Sequence, residues 1–303
     1  MADEAPYDAI FFDMDGTLLP MPVRRFLEAY YETLDEKLHR AGMDAELFVH
    51  ALNRGMHAMS EHSPEETNSQ AFWRTFAREH EEEESPLNAQ QMQRAREFLL
   101  DFYRNEFEAC GQGIVVKPQA NRVVAHLHAK GYPLYLTTMP LFPLEGVLPR
   151  LRWAGVNPAY FARITTFDNS TAVKPQLAFY YENLAIAGAA ETPERVLMVG
   201  NNTIDDMVCL QAGMDAFLVT DELIDDTGFD VDSVKHGSLL EFEQWACELP
   251  PCHSRRALEG YPNRSPLDGG LATERGREAK PVALWDESSK RATGAGAPQN
   301  PRS

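Results

Sequence analysis

Residues Ala9-Ile10-Phe11-Phe12-Asp13-Met14-Asp15-Gly16-Thr17-Leu18-Leu19 form an apolar run that ends in two carboxylates and a glycine. The run is apolar enough to be a strand inside a sheet. A core has no place for two neighbouring anions unless a cation, a proton or a hydrogen-bond network compensates them. The fold must therefore bring compensating groups from elsewhere in the chain to the end of this strand. Of two such carboxylates, one can attack, the other can carry a proton, and a metal can hold the pair. Gly16 permits a sharp turn behind them, after which the backbone amides near Met14 and Asp15 can face an anion.

Downstream the pattern alternates. Short apolar stretches at Pro133–Thr137, Ala162–Thr166, Val196–Val199 and Ala216–Val219 read as strands. Between them Asn121–Lys130, Pro175–Ala187 and Ile204–Ala212 read as helices, with Gly131, Gly188 and Gly213 where helix ends need a left-handed residue. Pro175 is expected in a first helical turn. Strand–helix alternation predicts an α/β fold with a Rossmann-like parallel sheet covered on both faces. Residues 21–113 differ. They carry helical periodicity through 23–38, Glu46–Met59, Gln70–Glu79 and Ala89–Glu108, broken by Ser63-Pro64 and Ser85-Pro86, and no strand. The expected organisation is a core of residues 1–20 plus 114–248, with 21–113 inserted as an all-helical cap. Residues 250–303 hold seven Pro and six Gly but five Val, Leu, Ile or Phe, too few large apolar groups to offset ordering entropy, and are expected to be a disordered tail.

Four signals fall at the ends of predicted strands. They are Asp13-x-Asp15-Gly16-Thr17; the hydroxyls Thr137 and Thr138; Lys174-Pro175; and Gly200-Asn201-Asn202-Thr203-Ile204-Asp205-Asp206. In an open parallel sheet ligands bind beyond the carboxyl ends of strands, so the four converge on one crevice. Taken singly each has an ordinary reading: Asp in a turn, Thr in a strand, a surface lysine, acids in a first helical turn. Their order along one chain is what gives them weight.

This set resembles the haloacid dehalogenase superfamily, in the subgroup with a helical cap after the first motif, and phosphoglycolate-phosphatase-like members in layout. The resemblance covers residues 7–20 and about 115–220. It implies a magnesium-dependent phosphatase working through an aspartyl phosphate on a small phosphorylated metabolite. Asp13 would be the nucleophile, and Asp15 the proton carrier whose carbonyl also ligates Mg2+. Thr138 would bind phosphate, with Thr137 the out-of-register alternative. Lys174 would neutralise charge, and Asn201 or Asn202 with Asp205 or Asp206 would hold the metal. A dianionic phosphate repels an attacking carboxylate, and magnesium and lysine would relieve that repulsion. The chain departs from the family pattern where asparagines, not an aspartate, follow Gly200, which predicts weaker metal affinity. Met139 follows Thr138 where the family often has asparagine. Three alternatives share the scaffold. A phosphomutase differs only in what receives the phosphoryl group. A non-catalytic phosphate-ligand binding protein would follow from the missing aspartate. A dehalogenase is disfavoured because it needs no leaving-group acid, and Asp15 supplies one.

The formal charge of −18 argues against nucleic-acid or anionic-membrane partners. No apolar run approaches the ~18 residues of a membrane span. The acidic start Met1-Ala2-Asp3-Glu4 lacks a signal-peptide pattern, so the expected location is cytoplasmic. Cys110, Cys209, Cys247 and Cys252 form no Cys-x-x-Cys pair and are expected to be reduced. His50, His57 and His62 lack the spacing of a helical zinc pair. Nothing in the pattern fixes the oligomeric state.

Overall fold

The computed structural model of the chain describes residues 4–79 and 87–252. Six strands form one parallel sheet: β1 (Ala9–Phe12), β2 (Leu134–Leu136), β3 (Phe161–Ile164), β4 (Val196–Gly200), β5 (Asp215–Val219) and β6 (Lys235–Gly237). Their order is β3-β2-β1-β4-β5-β6. β1 lies between β2 and β4, with Phe12 opposite Leu136 on one side and Val199 on the other. Its alternation sorts side chains to two cores. Ile10 and Phe12 enter the core beneath the helical insertion, and Ala9 and Phe11 enter the opposite one. All four residues are at most 1% exposed, and each large side chain so buried stabilises the sheet by about 1.5–3 kcal/mol.

The ladder runs past the strand ends into the acidic loop. The amide of Asp13 donates to Val199 O at 2.9 Å, and that of Thr137 donates to Phe12 O at 2.8 Å. The carboxyl ends of β1, β2 and β4 are thereby held in register at one edge of the sheet.

Four helices form the insertion that follows β1: α1 (Val23–Arg40), α2 (Ala45–Ala58), α3 (Asn68–Glu79) and α4 (Ala89–Asn105). Their ends follow ordinary helix chemistry. The Asp44 side chain accepts from Leu47 N at the start of α2, and Asn88 and Gln91 form a reciprocal capping box on α4. Lys37, His39 and Arg40 lie in the last turn of α1, where the helix dipole favours cations. An aromatic cluster of Phe26, Tyr30, Tyr103, Phe107, Phe142 and Trp153 packs the insertion onto the sheet domain. The remaining helices are α5 (Pro118–Ala129), α6 (Leu144–Trp153), α7 (Leu177–Ile186) and α8 (Leu239–Glu248). Gly131, Gly188 and Gly213 take φ of 85°, 67° and 84° after α5, α7 and the short helix before β5, as expected. Among the described residues no helix is long and apolar enough to cross a membrane.

Several expectations are corrected. Pro175 is not in the first turn of α7; Gln176 precedes that helix, which begins at Leu177. Of Ile204–Ala212 only Met207–Ala212 is helical, as a 3-10 segment, because residues 203–206 form a tight loop around Asp206. α4 stops at Asn105, and a separate short helix covers Phe107–Gly111. α6, β6 and α8 were not anticipated. At the C-terminal end, Pro250 and Cys252 are tied down: Tyr132 Oη donates to Pro250 O, and the Cys252 amide donates to Lys130 O at 2.8 Å. The rest of the expected tail lies outside the described residues. Cys110, Cys209, Cys247 and Cys252 form no disulfide among the described residues.

Candidate active site

The two acids of the first loop lie beside the site's two buried cations. Lys174, brought in just before α7, donates from Nζ to Asp13 Oδ1 at 2.8 Å and to Asp206 Oδ1 at 2.6 Å. It is 2% exposed, so its charge is matched by these carboxylates and not by water. Burial alone would lower the ammonium, but the charges of Asp13 and Asp206 more than reverse this and hold it above its ordinary value. Asp206 is fully buried too. Burial pushes its carboxyl up, against the pull of Lys174, and its second oxygen accepts from the amides of Asn201 and Asn202 at 3.0 Å each. The acid thus fastens the loop after β4 to the catalytic-looking strand through Lys174.

The choices left open by the sequence separate here. Asn201 is 1% exposed; its Oδ1 accepts from Thr17 Oγ1 at 3.0 Å and its Nδ2 donates to Glu222 O. Asn202 Oδ1 closes its own turn, accepting from the amides of Ile204 and Asp205, and its Nδ2 donates to Asp205 Oδ2. Asp205 and Asp206 both line the cavity, but the oxygens of Asp206 are already engaged by Lys174 Nζ and by the amides of Asn201 and Asn202, and Asp205 is the less buried of the two. Burial raises it to about 6, with Lys174 pulling down and the Asp13 charge pushing up. Thr137 turns its hydroxyl inward, to Phe12 O and Met198 Sδ. Thr138 Oγ1 is buried without a hydrogen-bond partner among the described residues. Thr138 is 0% exposed at the carboxyl end of β2 and is not among the residues that line the cavity. Gly16 takes φ of 81° with Asn201 packed directly against it.

The cavity wall also holds an arginine that the sequence does not mark as a site residue. Arg150, on α6, is 2% exposed and ion-pairs through Nη2 with Asp15 Oδ2. Its guanidinium stacks over Phe142 at 5.0 Å. Burial lowers it to about 9, with the Asp13 charge opposing, so it is cationic at neutral pH. Its segment also holds Glu145 and Arg152, so nothing in the local sequence singles it out.

These groups line a cavity of about 100 Å³. Its polar lining comprises Asp13, Asp15, Arg150, Lys174, Asn201, Asn202, Asp205 and Asp206; its apolar lining includes Met21, Val23, Phe26, Leu27 and Met139. From the insertion, therefore, Phe26 and Leu27 face the cavity, whereas Tyr30 bonds Tyr103 and Arg25 bonds Gln112 O. His62 is a structural residue, bonded to Asn68 and Ser63 O. Among the described residues no three His, Cys, Asp or Glu side chains gather as a metal cage. The oxygen donors nevertheless suit a hard cation: Asp13 and Asp205 both face the cavity and the charge of one acts on the other. Such donors would fit Mg2+, an ion usually held by one or two carboxylates and completed by substrate oxygens.

A family model described as haloacid dehalogenase-like hydrolase matches residues 7–213. The chain belongs to the haloacid dehalogenase-like hydrolases. Among solved structures, a 2-haloacid dehalogenase from Pseudomonas syringae pv. Tomato DC3000 is similar at 18% identity and TM-score 0.52, over 78% of this chain and 97% of that one. A predicted phosphoglycolate phosphatase from Haemophilus somnus 129PT is similar at 17% identity and TM-score 0.47, over 80% and 99%. The HAD-hydrolase YfnB from Bacillus subtilis, bound to magnesium, is similar at 19% identity and TM-score 0.45, over 79% and 98%. A search of curated proteins returns no match. Membership of this hydrolase family accords with the parallel sheet, its strand order and the position of the acids at the end of its central strand.

Proposed function

We infer that this haloacid dehalogenase-like hydrolase is a phosphatase acting on a small phosphorylated metabolite with Mg2+ as cofactor. The observation that carries the reading is the Asp13–Lys174–Asp206 chain of contacts with a second acid, Asp15, at the same cavity. Hydrolysis of a carbon–halogen bond has no use for a second acid to protonate a leaving oxygen; a phosphate ester does.

In this mechanism a carboxylate oxygen of Asp13 attacks phosphorus, forming an O–P bond as the ester oxygen departs with its electron pair. Asp15 gives that oxygen a proton. Asp15, now a carboxylate, takes a proton from water, whose oxygen attacks phosphorus and breaks the Asp13–phosphorus bond to release inorganic phosphate. Lys174 keeps the nucleophile and the incoming dianion from repelling one another, and Thr138 Oγ1 donates to a phosphoryl oxygen. Mg2+, held by Asp13 and Asp205 with the Asp15 carbonyl, would neutralise phosphoryl charge when bound. The apolar residues Phe26 and Leu27 of the helical cap would exclude water from the first step. The charge of the chain and the small cavity favour a metabolite over a nucleic acid or membrane substrate.

The test is phosphate release from an aryl phosphate and a panel of phosphorylated metabolites with Mg2+, then with Asp13→Asn. Release by the parent chain and loss by at least about 10³-fold in the variant are expected. Full activity in Asp13→Asn, or chloride release from a haloacid without metal, would overturn the reading. A phosphomutase would instead isomerise a sugar phosphate with little net phosphate.

A further inference from the structure

The carbon part of a phosphate ester must rest against whatever lining is left once the phosphoryl group is served. Asp13, Asp15, Lys174 and Asp205 belong to the chemistry proposed above, and Asp206 is taken up by Lys174. Arg150 is paired with Asp15 and stacked over Phe142. Two lining side chains are polar but uncharged, Asn201 and Asn202, and each is engaged within the protein at both amide atoms. Asn201 accepts from Thr17 Oγ1 at 3.0 Å and donates to Glu222 O at 2.6 Å. Asn202 accepts from the amides of Ile204 and Asp205 and donates to Asp205 Oδ2 at 3.0 Å. Among the described residues the lining holds no Ser, Thr, Tyr, Gln or His side chain.

What remains is apolar and comes from separate parts of the chain. Val23, Phe26 and Leu27 stand at i, i+3 and i+4 in the first turns of α1, so one face of that helix meets the cavity. Met139 and Leu141 come from the loop after β2, and Ile224 from the loop after β5. Leu27, Met139 and Leu141 are partly buried and Ile224 is 38% exposed, so these side chains keep apolar surface uncovered. Covering such surface with an apolar group is favourable. A hydroxyl pressed against it loses its water and meets no side-chain partner, which is costly. In a cavity of about 100 Å³ a sugar or polyol has little room to turn its hydroxyls elsewhere. Ile224 also lies beyond residues 7–213, so this part of the wall is not one that the family model describes.

We propose that the substrate is the phosphate monoester of an apolar alcohol, whose alkyl or aryl group lies against Leu27, Met139 and Ile224 while the phosphoryl group faces Asp13 and Lys174. The inference rests on the phosphatase reading above and narrows it. Sugar phosphates and polyol phosphates are then poor substrates, because each hydroxyl near the ester oxygen is stripped of water and left without a partner.

The test compares propyl phosphate with glycerol 1-phosphate, which share a three-carbon chain and differ by two hydroxyls. An apolar pocket discriminates against a single added hydroxyl by about 10²-fold. In the parent chain with Mg2+, kcat/KM for propyl phosphate should therefore exceed that for glycerol 1-phosphate by at least about 100-fold. Leu27→Asn and Ile224→Asn each place a hydrogen-bonding amide beside the leaving group and should each narrow that ratio by at least about fivefold. A further measurement needs neither variant nor turnover of an alkyl ester: propylphosphonate should inhibit aryl phosphate hydrolysis at least about tenfold more tightly than 2,3-dihydroxypropylphosphonate. Equal turnover of the two esters, or equal inhibition by the two phosphonates, overturns the proposal while aryl phosphate hydrolysis keeps the phosphatase reading standing. If an aryl phosphate is hydrolysed and neither alkyl ester is, the two phosphonates decide. A ratio unchanged in both variants overturns the placement of the leaving group against these side chains. Absence of phosphate release from both esters and from an aryl phosphate overturns the phosphatase reading, and this proposal with it.

Discussion

Asn201 lies directly behind Gly16: a Cβ added to Gly16 would come within 2.1 Å of Asn201 Nδ2. The turn of the first loop and the turn after β4, 185 residues apart in the chain, therefore fit together only because one of them has no side chain. Asn201 cannot retreat cheaply, because it accepts from Thr17 Oγ1 and donates to Glu222 O. Gly16 also takes φ of 81°, where other residues are strained. Gly16→Ala should lower stability by about 2–4 kcal/mol, from backbone strain and overpacking together. Urea unfolding checks it, and an unchanged midpoint would mean that the two loops can part without cost.

Lys174 joins two acids that otherwise face each other in a dry environment. Replacing it with methionine should leave Asp13 and Asp206 uncompensated. Breaking a buried pair by removing one partner costs about 3–5 kcal/mol, and a similar loss is expected for Lys174→Met. Phosphate release should fall to background in the same variant. Asp13→Asn makes the useful contrast, since Lys174 keeps Asp206 as partner. That variant should lose activity with a much smaller change in unfolding midpoint. Equal destabilisation of the two would show that Lys174 is held by something other than its carboxylates.

Much of this arrangement was legible because its signals are local. Central parallel strands are buried on both faces and read as continuous apolar runs, so β1, β2, β4 and β5 stand out. Asp13, Asp15, Lys174 and the loop from Gly200 to Asp206 carry recognisable residue types at the strand ends. β6 was hidden because it is an edge strand of Lys235, His236 and Gly237, with no apolar run to announce it. α8 did carry a sequence signature, Ser238 three residues before Glu241, which forms a capping box and was overlooked. α6 contains Pro149 and follows Pro140 and Pro143, which read as loop punctuation. Arg150 could not be found for a deeper reason. An arginine on a helix is by default exposed, and its partner Asp15 lies before the whole helical insertion in the chain. Only tertiary packing shows that it is buried beside an acid. Asp205 and Asp206 separate for the same reason: both line the cavity, and spacing alone does not say which of them is taken up by Lys174 and the amides of Asn201 and Asn202.

The carboxyl of Asp205 is raised from 3.8 to about 6, chiefly by burial. The folded chain therefore holds this proton more tightly than the unfolded chain between about pH 4 and 6. By linkage, Asp205 makes stability fall as pH rises through that window, and its full penalty is present above about pH 6. One pKa unit corresponds to about 1.4 kcal/mol. The side chain is only partly shielded from water, so the penalty is discounted to about 1–2 kcal/mol. Asp205→Asn keeps an acceptor for Asn202 Nδ2 and removes the charge. In EDTA it should be more stable than the parent chain at pH 8 by about 1–2 kcal/mol, with the advantage gone near pH 4. Thermal unfolding of both chains from pH 4 to 8 measures this; parallel curves across that range would refute it.

Besides the aromatic cluster, a buried asparagine ties the helical insertion to the sheet domain. Asn68, at the start of α3, is 0% exposed. Its Oδ1 bonds His62 Nε2 at 2.7 Å, and its Nδ2 donates to Pro140 O and Ala172 O, which belong to the loops after β2 and β3. Its amide donates to Ser170 O at 2.8 Å, and the neighbouring Ser69 amide donates to Phe167 O at 2.8 Å. Asn68→Ala keeps the backbone bonds but strands an imidazole nitrogen and two carbonyls in a dry interface. Each orphaned buried group costs about 1–3 kcal/mol before any relaxation, and water entering the interface would recover part of it, so a net loss of about 2–4 kcal/mol is expected. The loss should be local. Because α3 joins the insertion to the loops flanking Thr138 and Lys174, hydrogen exchange should accelerate at residues 60–72 and 167–173 while β1 and β4 remain protected. If the insertion must stay seated to cover the cavity, KM should rise more than kcat falls. Unchanged exchange in those two segments would show that the aromatic cluster around Phe26 and Phe142, and not Asn68, holds the insertion in place.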